Sequence, residues 1–192
     1  MSAVIESIKD TIANECFQYD KTKVAIITYD TSIHFYNLKN TQPIMLCVSD
    51  EEMFLPCPLS NLLVNLQEYQ KNVLNLLDHI QNSFINNPCK DSNKLFSAIN
   101  AAYSLLATKG DKNQPNPDPK NMTIGGKLVI FNSSSSITGH PKMKSKNAPN
   151  LPKDEIIYAP TDDKQLSTMG INLTNENIGI DLFVTSEGYT VK

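Results

Sequence analysis

Apolar residues recur at every third or fourth position in several stretches of the chain, and this spacing predicts amphipathic helices. Ser2 is a suitable N-cap for the first of them, because its hydroxyl can accept a hydrogen bond from a free backbone N–H. Gly110 follows the third, where a glycine is typical of a helix end. The predicted helices cover residues 3–17, 62–80 and 95–106, with a shorter one at 162–169.

Short runs of β-branched and aromatic residues lie between these helices and predict strands. Residues 23–29 (KVAIITY) are too few for a buried helix, and their unbroken apolar character is typical of a strand that is covered on both faces. Residues 127–132 (KLVIFN) and 178–184 (IGIDLFV) have the same character. Alternating apolar residues in 33–38 predict a strand that returns through a tight turn, and 43–48 adds a further extended segment.

The order of these elements predicts an α/β fold. Buried strands that alternate with helices form a mostly parallel sheet with helices on both faces, and the hairpin adds an antiparallel edge. A chain of 192 residues that is 40% hydrophobic can bury one sizeable core, so we expect a single domain over residues 1–192. Two polar stretches, at about 111–124 and 133–155, are rich in Pro, Asn, Ser and Lys and predict disordered insertions.

The amino-acid composition and net charge argue against several classes of function. The start of the chain lacks a basic segment followed by an apolar one, and its apolar runs are far below the roughly 20 residues of a membrane-spanning helix, so a cytoplasmic protein is expected. The net charge of −3 argues against a nucleic-acid partner. All 17 basic residues are lysines, so any binding of anions would lack the planar fork of arginine and would depend on salt.

No convincing catalytic or metal motif emerges. Residues 125–127 (GGK) lack the spacing of a phosphate loop, the three histidines lack the spacing of a zinc site, and no nucleophile-elbow motif surrounds the serines at 133–136. Asp30 follows a strand and invites a metal hypothesis, yet the second serine of a D-x-S-x-S site is missing. A turn in which Asp30 bonds its own backbone is the simpler interpretation, and we expect no enzyme and no cofactor.

A resemblance to a known family indicates a function that these patterns alone leave open. Residues 21–38 (KTKVAIITYDTSIHFYNL), the segment QPIMLCVSDEEMFLPCP and the segment LLVNLQEYQKNVLNLL closely resemble the trunk domain of the cargo-adaptor subunit of the COPII vesicle coat. KLVIFNSS and IGIDLFVTSEGYT are similar to later parts of the same trunk. The resemblance covers most of the chain outside the two polar insertions.

The resemblance implies a von Willebrand factor A-like, Rossmann-like trunk that acts as a structural cargo adaptor in transport from the endoplasmic reticulum to the Golgi. The implied partners are the GTPase-activating subunit of the coat, cargo-tail or SNARE peptides, and an anionic membrane surface bound peripherally. The implied location is the cytoplasmic face of the endoplasmic reticulum and its COPII vesicles. Zinc is implied only for a module that lies upstream of the trunk in the family.

The chain departs from the family pattern in three ways, one of which is that the family's upstream zinc module and its downstream β-sandwich, helical and gelsolin-like parts are not found in this sequence. The family trunk begins with a central strand before its first helix, and this sequence starts at that helix, so the first central strand is missing from it. The segment after Pro160 also differs in length from the family helix. An alternative function therefore stays open, a metal-dependent von Willebrand factor A-type ligand-binding domain whose metal-site strand has been cut away.

Two surface segments are the candidate contacts. The loop that contains Phe54, Leu55 and Pro58 carries apolar side chains next to two prolines that flank Cys57, and we predict contact with a partner protein. Lys142, Lys144 and Lys146 alternate with small or apolar residues and indicate attraction to a partner or to anionic lipid, although a solvated loop is the favoured explanation of them.

Overall fold

A computed structural model describes residues 2–13, 21–49, 54–84, 94–107, 125–133 and 164–184. Helices and strands alternate along these segments, as an α/β fold requires. The helices are α1 (Ser2–Ala13), α2 (Leu59–Leu62), α3 (Leu66–Phe84), α4 (Leu95–Leu106) and α5 (Lys164–Asn175). The strands are β1 (Lys23–Val24), β2 (Ile27–Tyr29), β3 (Ile33–Asn37), β4 (Ile44–Val48), β5 (Val64–Asn65), β6 (Gly126–Asn132) and β7 (Ile178–Val184).

Strands β2, β3 and β4 form an antiparallel meander with β3 in the centre. The turn between β2 and β3 is closed by Asp30, whose carboxylate accepts hydrogen bonds from the Ser32 N–H at 2.9 Å and from the Thr31 hydroxyl at 3.2 Å. These hydrogen bonds agree with the interpretation made from the sequence, in which Asp30 bonds the backbone of its own turn. The central strand is the most buried, and four of its five residues are inaccessible to solvent.

Helices cover both faces of the meander. On one face, α1 and α3 pack over Tyr36 and Leu38, with Val73 of α3 wholly buried between them. Lys9 of α1 forms an ion pair with Asp78 of α3. On the other face, α4 and the segment around α2 pack over Ile33, Phe35 and Val48 of the meander. Helices thus lie on both faces of this antiparallel sheet, whereas the prediction placed them on a mostly parallel one.

Strands β6 and β7 form a parallel pair with Gly126 opposite Ile178 and Asn132 opposite Val184. One face of this pair packs on α4 and α5 through Leu128, Ile178 and Met169. Because α4 contacts β2, β3 and β6, this one helix connects the meander with the parallel pair.

Several features differ from the predictions. Residues 23–29 form two short strands because β1 pairs with β5 and β2 pairs with β3. The described strands therefore make three sheets, mixed in direction, and only β6 and β7 are parallel. Helix α5 extends to Asn175, beyond the predicted end at 169, because Met169 and Leu173 both pack into the core beside β7.

The expectation that β6 and β7 are covered on both faces is wrong for the part of the chain that the structure describes. Val129 and Phe183 are each 51% exposed, and Phe131 on the same face is 40% exposed. The described helices pack on one side of this pair only, which leaves the other side open. The predicted insertions, at about 111–124 and 133–155, lie almost entirely outside the described residues.

Candidate protein-binding surface

The outer edge of β4 is the most distinctive surface of the meander. Within the described residues β4 pairs with β3 alone, so its other edge carries no backbone partner. Pro43 precedes the strand, and the five residues of β4 (IMLCV) include no charge. Ile44 and Met45 are each 43% exposed, whereas Val48 is buried at the far end. The result is an open, uncharged strand edge with apolar side chains.

The loop at residues 54–58 lies on the same part of the core as β4. Leu55 and Cys57 pack against the cluster that contains Val48 and Leu46. Pro56 and Pro58 prevent a helix at this point, and Phe54 projects with 58% of its surface exposed. We call β4 together with the loop at 54–58 the edge surface; its apolar members are Ile44, Met45, Leu46, Phe54 and Leu55.

The end of β3 is tied to this loop by the backbone. The Leu38 N–H donates to the Asn61 carbonyl at 2.9 Å, and the Asn61 N–H donates to the Pro58 carbonyl at 2.9 Å. These bonds hold α2 beside the sheet. Burial also raises the pKa of the Cys57 thiol, which favours its neutral form. These contacts hold the loop at residues 54–58 in place beside β4.

A buried polar network lies next to β4 on the face that α3 covers. The Thr28 hydroxyl is 2.7 Å from the Tyr36 hydroxyl and 3.1 Å from Nδ1 of His34. Tyr36 also donates to the Met45 sulfur at 3.8 Å, so the network reaches the edge strand. The His34 ring stacks on Phe84 of α3, with ring centroids 6.2 Å apart. Since these groups satisfy one another, they fix the position of β3 and β4.

Burial controls the charge of His34. Its side chain is 7% exposed, and desolvation lowers the pKa of His34 below its ordinary value, while the Asp30 carboxylate, 3.6 Å from Nε2, opposes that shift. Burial likewise raises the pKa of Tyr36, so the phenol stays protonated. The network is therefore neutral in the folded protein near neutral pH.

This arrangement predicts that stability falls in mild acid. The unfolded chain binds a proton at His34 as the pH falls through about 6.5, and the folded chain does so only at lower pH. The stability contributed by neutral His34 is therefore complete above about pH 6.5 and is lost as the pH falls below it. The loss is at most about 1.4 kcal/mol per pH unit. Urea unfolding at pH 7.5 and pH 5.5 measures it.

His34→Gln provides the control for that experiment. The variant removes the titrating group, so its free energy of unfolding is expected to depend less on pH over the same range. An unchanged pH dependence in His34→Gln would show that other groups cause the effect.

Two other surfaces of the described residues are lined by apolar side chains. The open side of β6 and β7 carries Val129, and it also carries stacked Phe131 and Phe183 rings whose centroids are 5.2 Å apart. A groove of about 470 Å³ lies between α4 and α5, lined by Phe96, Tyr103 and Lys164 among others. Within the described residues β6 and β7 also pair only with each other, and what distinguishes the edge surface is that β4 and the loop at 54–58 pack on the same buried cluster.

The structure describes three of the six residues predicted to contact a partner or a membrane. Phe54, Leu55 and Pro58 lie together at the surface, with Phe54 and Pro58 exposed and Leu55 half-buried. Lys142, Lys144 and Lys146 lie outside the described residues. Within the described segments no group of three or more His, Cys, Asp or Glu residues is placed to hold a metal ion. No described helix is both long enough and apolar enough to cross a membrane.

The sequence did not single out Ile44 and Met45. Residues 43–48 were predicted to be extended, and that prediction is confirmed, but an extended segment can lie inside a sheet or at its edge. The available signal was the absence of any charge in IMLCV directly after a proline, since Pro is tolerated mainly at the start of a strand or on an edge.

Comparison with known proteins places these features in a family. The family model described as the Sec23/Sec24 trunk domain matches residues 1–191. Protein transport protein SEC24 A of Arabidopsis thaliana is 32% identical over 199 residues, which cover 98% of this chain and 17% of that protein. Protein transport protein Sec24A of Bos taurus is 30% identical over 175 residues, which cover 88% of this chain and 14% of that protein.

A solved structure has the same fold. The crystal structure of the human COPII-coat protein Sec24c matches 95% of this chain and 23% of its own chain, with a TM-score of 0.70 and 22% sequence identity. At that identity the match supports the α/β fold alone. The chain therefore spans between 14% and 17% of the length of these two curated relatives and less than a quarter of the solved chain.

Proposed function

Because the chain belongs to the Sec23/Sec24 trunk domain family, we propose that it is a cargo-adaptor part of the COPII coat that binds other proteins during transport from the endoplasmic reticulum to the Golgi. It acts as a structural docking domain and performs no reaction. The observation that carries the proposal is the edge surface, where an uncharged strand edge and an exposed Phe54 lie on a rigid core. Exposed aromatic residues beside apolar neighbours are typical anchors of protein interfaces.

The way in which the described sheets combine is part of the same proposal. We propose that the meander and the β6–β7 pair are two parts of a von Willebrand factor A-like sheet that has one further strand between β2 and β6. In support, the Tyr29 hydroxyl lies 3.4 Å from the Phe131 carbonyl, so the carboxyl ends of β2 and β6 are neighbours. A whole tyrosine side chain separates the two strands, whereas paired strands lie only about 4.8 Å apart.

The partners and location follow from the family. The proposed protein partner is the GTPase-activating subunit of the coat, and cargo-tail or SNARE peptides are the proposed cargo signals. The proposed location is the cytoplasm, peripherally on endoplasmic reticulum membrane and COPII vesicles, with the lysines at 142, 144 and 146 attracted to anionic lipid. No cofactor is proposed for this chain, and zinc is assigned only to an upstream module of the longer proteins.

The alternative of a metal-dependent ligand-binding domain is not favoured. Such a site needs carboxylate oxygens that are available to a cation. The Asp30 carboxylate instead accepts hydrogen bonds from Ser32 and Thr31 within its own turn. The family match does not favour a metal function either.

A binding measurement tests the proposed function. The purified chain is immobilised, and the GTPase-activating subunit of the COPII coat is passed over it. We expect saturable binding, and we expect Phe54→Ala to weaken it by about tenfold or more, since truncating an aromatic anchor commonly has an effect of that size. Ile171→Ala is the matched control, because Ile171 is also 58% exposed but lies on α5.

The control variant is expected to bind as tightly as the unaltered chain. A folded chain that does not capture the subunit at all would overturn the proposed function. Binding that Phe54→Ala and Ile171→Ala weaken equally would move the interface away from the edge surface.

A further inference from the structure

Within the described residues the edge of β4 lacks the charges and the bulges by which proteins often protect strand edges. In an antiparallel pair, alternate residues direct their N–H and C=O groups away from the partner strand, and no described strand pairs with these groups on the outer edge of β4. Lysines, inward charges and bulges normally prevent such an edge from pairing with another chain. Residues 44–48 contain no charge, and their pairing with β3 runs through five consecutive positions without a bulge.

The side chains that flank this edge are apolar on both faces of the sheet. Ile44 and Leu46 lie on the face where Leu55 and Cys57 of the loop pack against the core. Met45 and Cys47 lie on the opposite face, beside Tyr36 and His34 of β3, and both are exposed. A strand that pairs with β4 would therefore place its alternate side chains against apolar neighbours on either face.

From these observations we propose that β4 binds an extended peptide segment of another protein by strand addition, and that the segment is uncharged at the positions that face β4. The inference rests on the proposed function as a protein-binding domain, and it specifies the chemistry of the bound segment and the way in which it binds. Backbone hydrogen bonds along β4 supply the attachment, and side chains that alternate across the sheet supply selectivity.

The size of the edge favours a peptide over a second copy of this chain. A strand of five residues is about 17 Å long, and paired strands lie about 5 Å apart. The contact strip is thus far smaller than the roughly 800 Å² per partner that a stable protein dimer buries. A short extended segment fills the strip completely. The neutrality of β4 also fits an uncharged segment, since a charged side chain at these positions would be desolvated without a partner.

A pair of synthetic peptides tests the inference directly. The probe is a fluorescently labelled peptide of alternating threonine and valine with blocked ends, and its matched control has the same sequence with alternate backbone nitrogens methylated. Fluorescence anisotropy with the purified chain measures both. We expect the probe to bind and the methylated peptide to bind at least about tenfold more weakly, because methylation removes the N–H donors that strand pairing needs.

Two chain variants locate the binding. Ile44→Lys places a charge at a 43% exposed position of the edge, and Val129→Lys places one at a 51% exposed position on β6. We expect Ile44→Lys to weaken probe binding at least about tenfold and Val129→Lys to leave it unchanged. Circular dichroism verifies that both variants are folded, and the methylated peptide tests the idea without altering the protein.

Several results would overturn the inference. These are equal binding of the two peptides, no binding of the probe, or an Ile44→Lys variant that binds as the unaltered chain does. Sedimentation that shows a dimer of this chain, lost in Ile44→Lys, would assign the edge to a second copy instead. If the probe fails while the GTPase-activating subunit still binds, strand addition is wrong and the proposed function stands.

Discussion

Replacing Phe35 with alanine will lower the free energy of unfolding by about 3–5 kcal/mol. Phe35 is 1% exposed and sits at the centre of the meander, opposite Ile27 of β2 and Leu46 of β4. Its ring packs in the cluster that includes Ala101 of α4. Truncation removes the apolar contacts and leaves a cavity that strands on both sides and a helix above cannot close. Urea unfolding monitored by circular dichroism measures the change.

Phe54→Ala is the control for this prediction. Phe54 is 58% exposed, so its truncation removes little buried surface and is expected to change the free energy of unfolding by less than about 1 kcal/mol. The same variant is expected to weaken partner binding. A loss of stability in Phe54→Ala as large as that in Phe35→Ala would contradict the view that Phe54 serves binding and Phe35 serves folding.

The fold could be predicted from the sequence wherever one physical signal dominated. The apolar period of α3 and the alternation in β3 each indicated the correct element. The period failed at the start of α3, because Leu62 and Leu66 are spaced as in one helix, although Leu62 ends α2, Leu66 begins α3 and β5 lies between them. Pairing of β5 with β1 decides that division, and no local pattern encodes a pairing between segments about forty residues apart.

The apolar runs in β6 and β7 led to a different error. Such a run indicates that a strand is apolar on both faces, but it does not identify what covers each face. Leu128 is buried under α4 and α5, whereas Val129, its neighbour in the chain, is exposed on the other side. The element was therefore predicted correctly and its burial was not.

The candidate site was predictable in part. Phe54 and Pro58 could be identified because apolar residues followed directly by two closely spaced prolines are an unusual pattern in this chain. The contribution of Ile44 could not, since its exposure depends on which strand ends the sheet. In the folded chain the two are connected, because β3 buries Phe35 and thereby positions β4, and Leu55 anchors the loop on the same cluster. The same buried cluster thus holds both β4 and the loop at 54–58 in place, and it leaves the outer edge of β4 open.

Gly125→Ala will lower the free energy of unfolding by about 2–3 kcal/mol. Gly125 precedes β6 and has a φ of +61°, a left-handed conformation that costs alanine about 1–2 kcal/mol. A methyl group there would also lie 3.1 Å from the Asn177 carbonyl oxygen and 3.2 Å from that of Glu176. These backbone atoms start β7 and cannot rotate away as a side chain would. The two parallel strands therefore have to separate at their beginnings.

Gly170→Ala is the matched control, and it is expected to act in the opposite direction. Gly170 lies within α5, and an added methyl group meets nothing within 4 Å. Alanine favours the helix over glycine by about 0.8–1.0 kcal/mol, so the variant should be more stable than the unaltered chain. Thermal unfolding of the two variants measures both changes. If Gly125→Ala also stabilised the chain, the left-handed turn that aligns β6 with β7 would be wrong, and the parallel register with it.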